Sequence, residues 1–273
     1  MGRIVAAVGV PHTPVFPRLA AEPAGADLRA RYSAVADLLA AARPDVLCVF
    51  HCDHINAFFL DNWPTFAVVA AETVRCPVDE VPRVPQTDVA VHTGLSVRLY
   101  EHAVRREFDP SLVMRAGADH GLAVPLHFLD PRHRLPVVPL HINGMVAPFP
   151  SARRCLALGR VVAEAVADWA ADVRVAVVAS GSFSLEVGGP RVPPGAGYAV
   201  PRADWAARVV QLLRAGDLES LVREATPPLL ADAGTVAGEL LSWIATAGAV
   251  DGLTLARLDH REGEAHAFAA WTR

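Results

Sequence analysis

Short apolar runs rich in valine alternate along this chain with longer Ala/Leu/Arg segments whose apolar positions recur every three to four residues. The first kind reads as a strand buried on both faces and the second as a helix with one buried stripe. Their alternation predicts an α/β domain around a largely parallel sheet. Strands are predicted over 4–10, 46–50, 65–71, 136–142 and 173–179. Helices are predicted over 27–42, 88–106, 151–170 with Ser151 as N-cap, 204–214, 218–225 and 237–247, and apolar segments at 253–258 and 265–271 close the chain. Arg43-Pro44-Asp45 stops the first of these helices, because a residue before proline is pushed out of the helical region. Residues 186–201, EVGGPRVPPGAGYAVP, hold too much Gly and Pro to continue either element and are expected to form a loop covering the site.

Composition narrows the class. With 273 residues, 52% hydrophobic and 20% charged, the chain can bury one large core, and we read 1–273 as a single domain. A net charge of -4 with scattered arginines gives no basic footprint, which argues against a nucleic-acid partner. No apolar run approaches the ~20 residues that cross a bilayer. The opening MGRIVAAVGVPHTP reads as a strand rather than a secretory leader, so the expected location is cytoplasmic. The four cysteines, Cys48, Cys52, Cys76 and Cys155, follow no metal or disulfide spacing and are read as small buried hydrophobes.

Candidate chemistry lies where an open α/β sheet places its sites, in the loops at the carboxyl ends of strands. His12 follows the first strand in V-P-H-T-P, stiffened by Pro11 and Pro14. His51 and His54 leave the second strand in F-H-C-D-H-I-N, where one of the two is expected to be a ligand and Asp53 a carboxylate that orients a neighbouring imidazole. His120 stands in G-A-D-H-G-L, where Asp119 could hold its tautomer. Glu239 opens an apolar helix in A-G-E-L-L-S-W-I, where complementing the helix dipole would by itself account for it. Two imidazoles and a carboxylate are the parts of a facial triad that binds iron(II) with positions left open, and His, His and Glu also suit zinc. Spacing alone does not show that they converge.

The blocks P-H-T-P, P-D-V-L-C-V-F-H-C-D-H-I-N-A-F-F-L-D-N-W-P-T-F, D-H-G-L-A-V-P-L, P-V-V-P-L-H-I-N-G and G-E-L-L-S-W-I resemble, in order and separation, the class III extradiol ring-cleavage dioxygenase family over most of the chain. The resemblance implies a three-layer α/β/α sandwich. It implies iron(II) held by His12, His54 and Glu239, with His120 as an acid or base near the substrate. It also implies a small aromatic substrate of catechol or 2-aminophenol type together with O2, assembly as a homo-oligomer, and in some members a small partner subunit.

One departure stands out. The family's block S-G-G-L-S-H carries a second catalytic histidine, whereas this chain reads Ser180-Gly181-Ser182-Phe183-Ser184-Leu185, with Leu185 in the histidine's position. Leucine moves no proton, and one positioned acid or base is worth roughly 10²- to 10⁴-fold in rate. Three accounts stay open: an unusual substrate with His51, His141, Ser184 or water supplying the proton; an accessory homologue of low activity; or different chemistry at the same metal. Phe183, with Phe58, Phe59 and Trp63, is a candidate wall for an aromatic ligand, although core packing accounts for such residues as well.

Overall fold

The computed structural model describes residues 1–273. In chain order the elements are β1 (Arg3–Val10), α1 (Phe16–Ala21), α2 (Ala26–Ala41), β2 (Val46–His51), β3 (Phe66–Val69), β4 (Thr73–Cys76), β5 (Thr87–Ala90) and α3 (Thr93–Arg105). They continue with β6 (Ser111–Val113), β7 (Ala116–Gly117), α4 (His120–Leu129), β8 (Val137–Ile142), α5 (Ala152–Ala167), β9 (Arg174–Ser180), α6 (Ala203–Ala215), α7 (Leu218–Glu224), α8 (Pro227–Ala233), α9 (Leu240–Ala249), β10 (Thr254–Asp259) and β11 (Phe268–Thr272).

An eight-stranded sheet runs in the order β10-β11-β1-β9-β2-β8-β3-β6. Its centre, β1-β9-β2-β8, is parallel, as the buried valine runs predict. The edges are mixed, since β11 runs antiparallel to β1 and β3 antiparallel to β8. Alternate residues of the central strands feed two cores. Cys48, Phe50, Leu140, Val175 and Val177 pack under α3, α5, α6, α7 and α9. Leu47, Val49, Val8, Ala176 and Val178 pack under α1, α2 and α4. The result is the expected three-layer α/β/α sandwich, and its parallel core aims the carboxyl ends of β1, β2, β8 and β9 at one side of the molecule.

Several elements differ from the sequence reading. Residue 88 starts no helix: Thr87–Ala90 is a strand, because Asp88 faces Arg75 across an antiparallel pair while Val89 is buried. The helix behind it begins at Thr93, with the His92 imidazole accepting from the Leu95 amide at its N-terminus. The helix after Ser151 is capped as expected, the hydroxyl accepting from the Arg154 amide, but ends at Ala167 rather than 170. Helix α4 escapes periodicity because it is buried all round and carries Pro125 within it. Residues 186–201 form no regular element beyond one bridge between Glu186 and Ala199, and are pinned by Arg191 on Glu186 and on the Asp232 carbonyl.

Candidate metal and active site

Five segments distant in sequence meet beyond the central strands. His12 lies two residues past β1, where the Tyr32 hydroxyl donates to the Pro11 carbonyl at 2.8 Å. His54 lies three residues past β2, Ser180 ends β9, Asp119 caps α4 with His120 as its first residue, and Glu239 ends the turn before α9. Nε2 of His12 and Nε2 of His54 each stand 3.1 Å from the same atom, Oε1 of Glu239. The other carboxylate oxygen accepts from the Ser182 amide at 2.7 Å. Gly181, at φ +146°, makes this approach possible, since a side chain there would sit 2.6 Å from the Glu239 Cβ in a backbone conformation that L-residues avoid.

The far side of each ring is fixed. The Ser180 hydroxyl gives its single proton to the Gly121 carbonyl at 2.6 Å, so its 2.7 Å contact with His12 must be donated by the ring's Nδ1–H, which leaves the Nε2 lone pair facing Glu239. His54 donates Nδ1–H to Asp119 at 2.9 Å, so Nε2 is the nitrogen that faces Glu239. Asp119 is itself saturated by the His54 amide at 2.7 Å, Asn56 Nδ2 at 3.1 Å and the Gly121 amide at 2.9 Å. His120 stacks on His54 with ring centroids 4.1 Å apart, and its Nδ1 donates to Asp79 at 2.6 Å. Its Nε2 has no protein hydrogen-bond partner and is not sealed from solvent, unlike the sealed Nε2 of His12.

Burial dominates the titration here, and the neighbours decide which groups escape it. Burial lowers the pKa of His12 against the pull of Glu239. Burial also opposes charge on His54, but Asp119 and Glu239 together push it up to about 10. Glu239 is held below the usual carboxylate range by His12 and His54 despite its burial, and Asp119 likewise by His54 and His120. Two imidazole nitrogens aimed at one carboxylate oxygen, one of them buried with no hydrogen-bond partner, form a donor set that a divalent cation fits. Ligand atoms of His12, His54 and His120 also lie within 4.8 Å of one another.

The structure brings His12, His54, Asp119, His120 and Glu239 together and corrects several expected roles. Asp119 orients His54 rather than His120, whose Nδ1 belongs to Asp79. Asp53 orients no imidazole; its carboxylate accepts from the amides of Asn56, Ala57 and Phe58 and so shapes the loop after β2. His51 is buried edge-on to His141 at 6.1 Å, and burial lowers its pKa to about 4. Phe183 is core, packed edge-on against Trp243 at 4.9 Å. The Ser184 hydroxyl is committed to the Ala233 carbonyl and the Arg202 amide. Leu185 lines a cleft with Thr13, Tyr198 and His266. Asp79 and Ser180 escaped the sequence reading, Asp79 because nothing in P-V-D-E-V-P marks it and Ser180 because it reads as the end of a strand. A surface cavity of about 780 Å³ around Ile4 and Arg160 lies toward the amino ends of the strands and holds no histidine.

Residues 6–267 match the family model described as the catalytic LigB subunit of aromatic ring-opening dioxygenase. The chain is 28% identical over 258 residues to a 2,3-dihydroxyphenylpropionate/2,3-dihydroxicinnamic acid 1,2-dioxygenase of Cupriavidus necator, covering 80% of each protein. It is 31% identical over 167 residues to a gallate dioxygenase of Pseudomonas putida, covering 59% of this chain and 46% of that one. The crystal structure of an uncharacterized protein from Escherichia coli K12 superposes with a TM-score of 0.58 at 19% identity over 98% of both chains, a likeness of fold. With nearly the whole chain matched, this protein belongs to the family of the catalytic LigB subunit of aromatic ring-opening dioxygenases and is an oxidoreductase of the aromatic ring-cleaving class.

Proposed function

We propose that the protein is an iron(II)-dependent extradiol dioxygenase acting on a catechol-like or 2-aminophenol-like ring, with His12, His54 and Glu239 as metal ligands and His120 as an acid–base group. The observation that carries this reading is the convergence of two oriented imidazole nitrogens on one Glu239 oxygen. Iron(II) bound there would supply the redox centre at which an aromatic diol and O2 meet. The chain's own contribution is orientation. Ser180 and Asp119 hold the two rings with their Nε2 atoms inward, as outer partners of metal ligands do. Asp79 holds Nδ1 of His120, leaving Nε2 free to take or give a proton at a substrate oxygen. The end of the 186–201 loop supplies Tyr198 and Val200 to the neighbouring cleft, which supports a covering role for that loop.

The test is oxygen uptake by protein reconstituted anaerobically with iron(II), against a panel of catechols and 2-aminophenols, with His54→Ala as control. Uptake with a coloured ring-opened product, abolished in the control together with iron retention, is the expected result. Stoichiometric iron binding without uptake on any substrate would overturn the catalytic reading in favour of an accessory homologue, for which Leu185 is the motivating residue. A preference for zinc accompanied by hydrolytic activity would overturn the choice of metal.

A further inference from the structure

Beside the histidine cluster opens a cleft of about 230 Å³, lined in part by Thr13, Phe16, Arg31, Leu185, Tyr198 and His266. Thr13 follows the ligand candidate His12. The segment ending at Leu185 is tied to the cluster at its other end, where the Ser182 amide donates to Glu239. Against this segment lies the chain that leads into β11. The Ala265 carbonyl accepts from the amides of Phe183 at 2.7 Å and Ser184 at 3.3 Å, so the next residue, His266, is set beside Leu185 at the cleft.

The His266 ring is held edge-on by Phe16 at 5.5 Å and Phe268 at 5.7 Å, and its backbone carbonyl accepts from Nδ1 of His260 at 2.8 Å. These contacts fix the ring while leaving both of its nitrogens without a protein hydrogen-bond partner, and neither is sealed from the cleft. The charged groups lining the same cleft are already engaged. Arg31 makes a two-point contact with Glu264 at 2.5 and 2.8 Å, and Asp27 is bound by Arg261. His266 is thus the one imidazole of the cleft, oriented and unengaged, beside a leucine that can move no proton. Burial, partly offset by Glu264, lowers its pKa to about 4, so before substrate binds the ring is neutral and one nitrogen carries an uncommitted lone pair.

We propose that the aromatic substrate reaches the cluster through this cleft and that His266 accepts a hydroxyl proton from it. The proposal rests on the ring-cleavage reading of the site. In the transfer the substrate O–H bond breaks with its electron pair left on oxygen, an N–H bond forms on the ring to give imidazolium, and return of that proton to the product restores the neutral imidazole. The arrangement accounts for a proton acceptor in a chain whose Leu185 offers none.

The decisive experiment needs no turnover. Protein loaded with redox-inert zinc(II) is titrated with 4-nitrocatechol, whose visible absorption differs between its protonation states. The wild type is expected to bind the ionised form, whereas His266→Ala binds at least tenfold more weakly or leaves the proton on the ligand, and Leu185→His in the His266→Ala background restores the wild-type spectrum. Unchanged affinity and ionisation in His266→Ala would overturn the proposal. Should that variant fail to fold, acylation of wild-type histidines by diethylpyrocarbonate, mapped by peptide mass, decides instead: protection of His266 by 4-nitrocatechol supports the assignment and equal modification with and without it sinks it. In the iron(II) enzyme, His266→Gln should lower kcat/KM by roughly 10²-fold. A wild type that consumes no O2 yet binds and ionises 4-nitrocatechol through His266 would overturn ring cleavage while supporting the cleft.

Discussion

At the scale of single residues, the site depends on hydrogen bonds that no spacing reveals. Ser180 is buried, looks like the last position of a strand, and is the sole group fixing the tautomer of His12. Replacing it with alanine frees that ring to turn its proton toward Glu239. Partners of this kind change metal affinity by roughly 10- to 100-fold, and Ser180→Ala should weaken iron(II) binding in that range, read by competition with a chelator. The other legible consequence concerns acid. His51 and His141 are buried next to each other, with burial lowering their pKa values to about 4 and about 3 from 6.5. The unfolded chain then binds protons that the folded chain refuses, so stability is full above pH 6.5 and is lost as pH falls toward 4. His141→Gln should flatten that loss by up to roughly 2 kcal/mol in urea unfolding curves taken at pH 7 and pH 5; parallel curves for the two proteins would remove His141 as the cause.

Elements were read from the sequence in proportion to how much of their periodicity survives burial. The valine runs of β1, β2, β8 and β9 stand out because a parallel strand is apolar on both faces, and α2, α5 and α6 because each keeps one polar side. Helix α4 and the small β4, β5 and β7 sheet were missed, the first for having no polar side and the others for being short. His12 and His54 were legible as strand-end residues. Asp79 was not, because it acts through His120, 41 residues away, and neither was His266, which only the fold sets beside Leu185. Packing between elements sets its own limits. Helices α5 and α9 approach through Gly159 and Gly248; a Cβ on the first would lie 1.8 Å from the Ala245 carbonyl oxygen and on the second 2.2 Å from that of Leu156. Gly159→Ala, normally favourable inside a helix, should therefore destabilise by about 1–3 kcal/mol, and a rise in melting temperature would contradict this account.

For the whole molecule, the sheet order places the parallel strands at the centre and the antiparallel ones at the margins, so the site lies over the best-buried part of the fold. No helix is long and apolar enough to cross a membrane. Family membership fixes the reaction class, and the resemblance seen in the sequence pointed to the same class. The loop interactions that hold 186–201 through Glu186, Arg191 and Asp232 lie outside what any local pattern encodes.

The ligand candidates stand at positions 12, 54 and 239, and a long-range closure of the chain is required before any two of them meet. An unfolded chain offers the cation only scattered single donors. Binding should therefore select the folded state by mass action, adding about 2.7 kcal/mol at a free-metal concentration one hundred times the dissociation constant. Melting temperature should climb with each tenfold increase in iron(II) under anaerobic conditions and stay level in Glu239→Ala. The cation would then act as a tether between the two ends of the chain, and iron starvation would shorten the protein's lifetime against proteases as well as silence it.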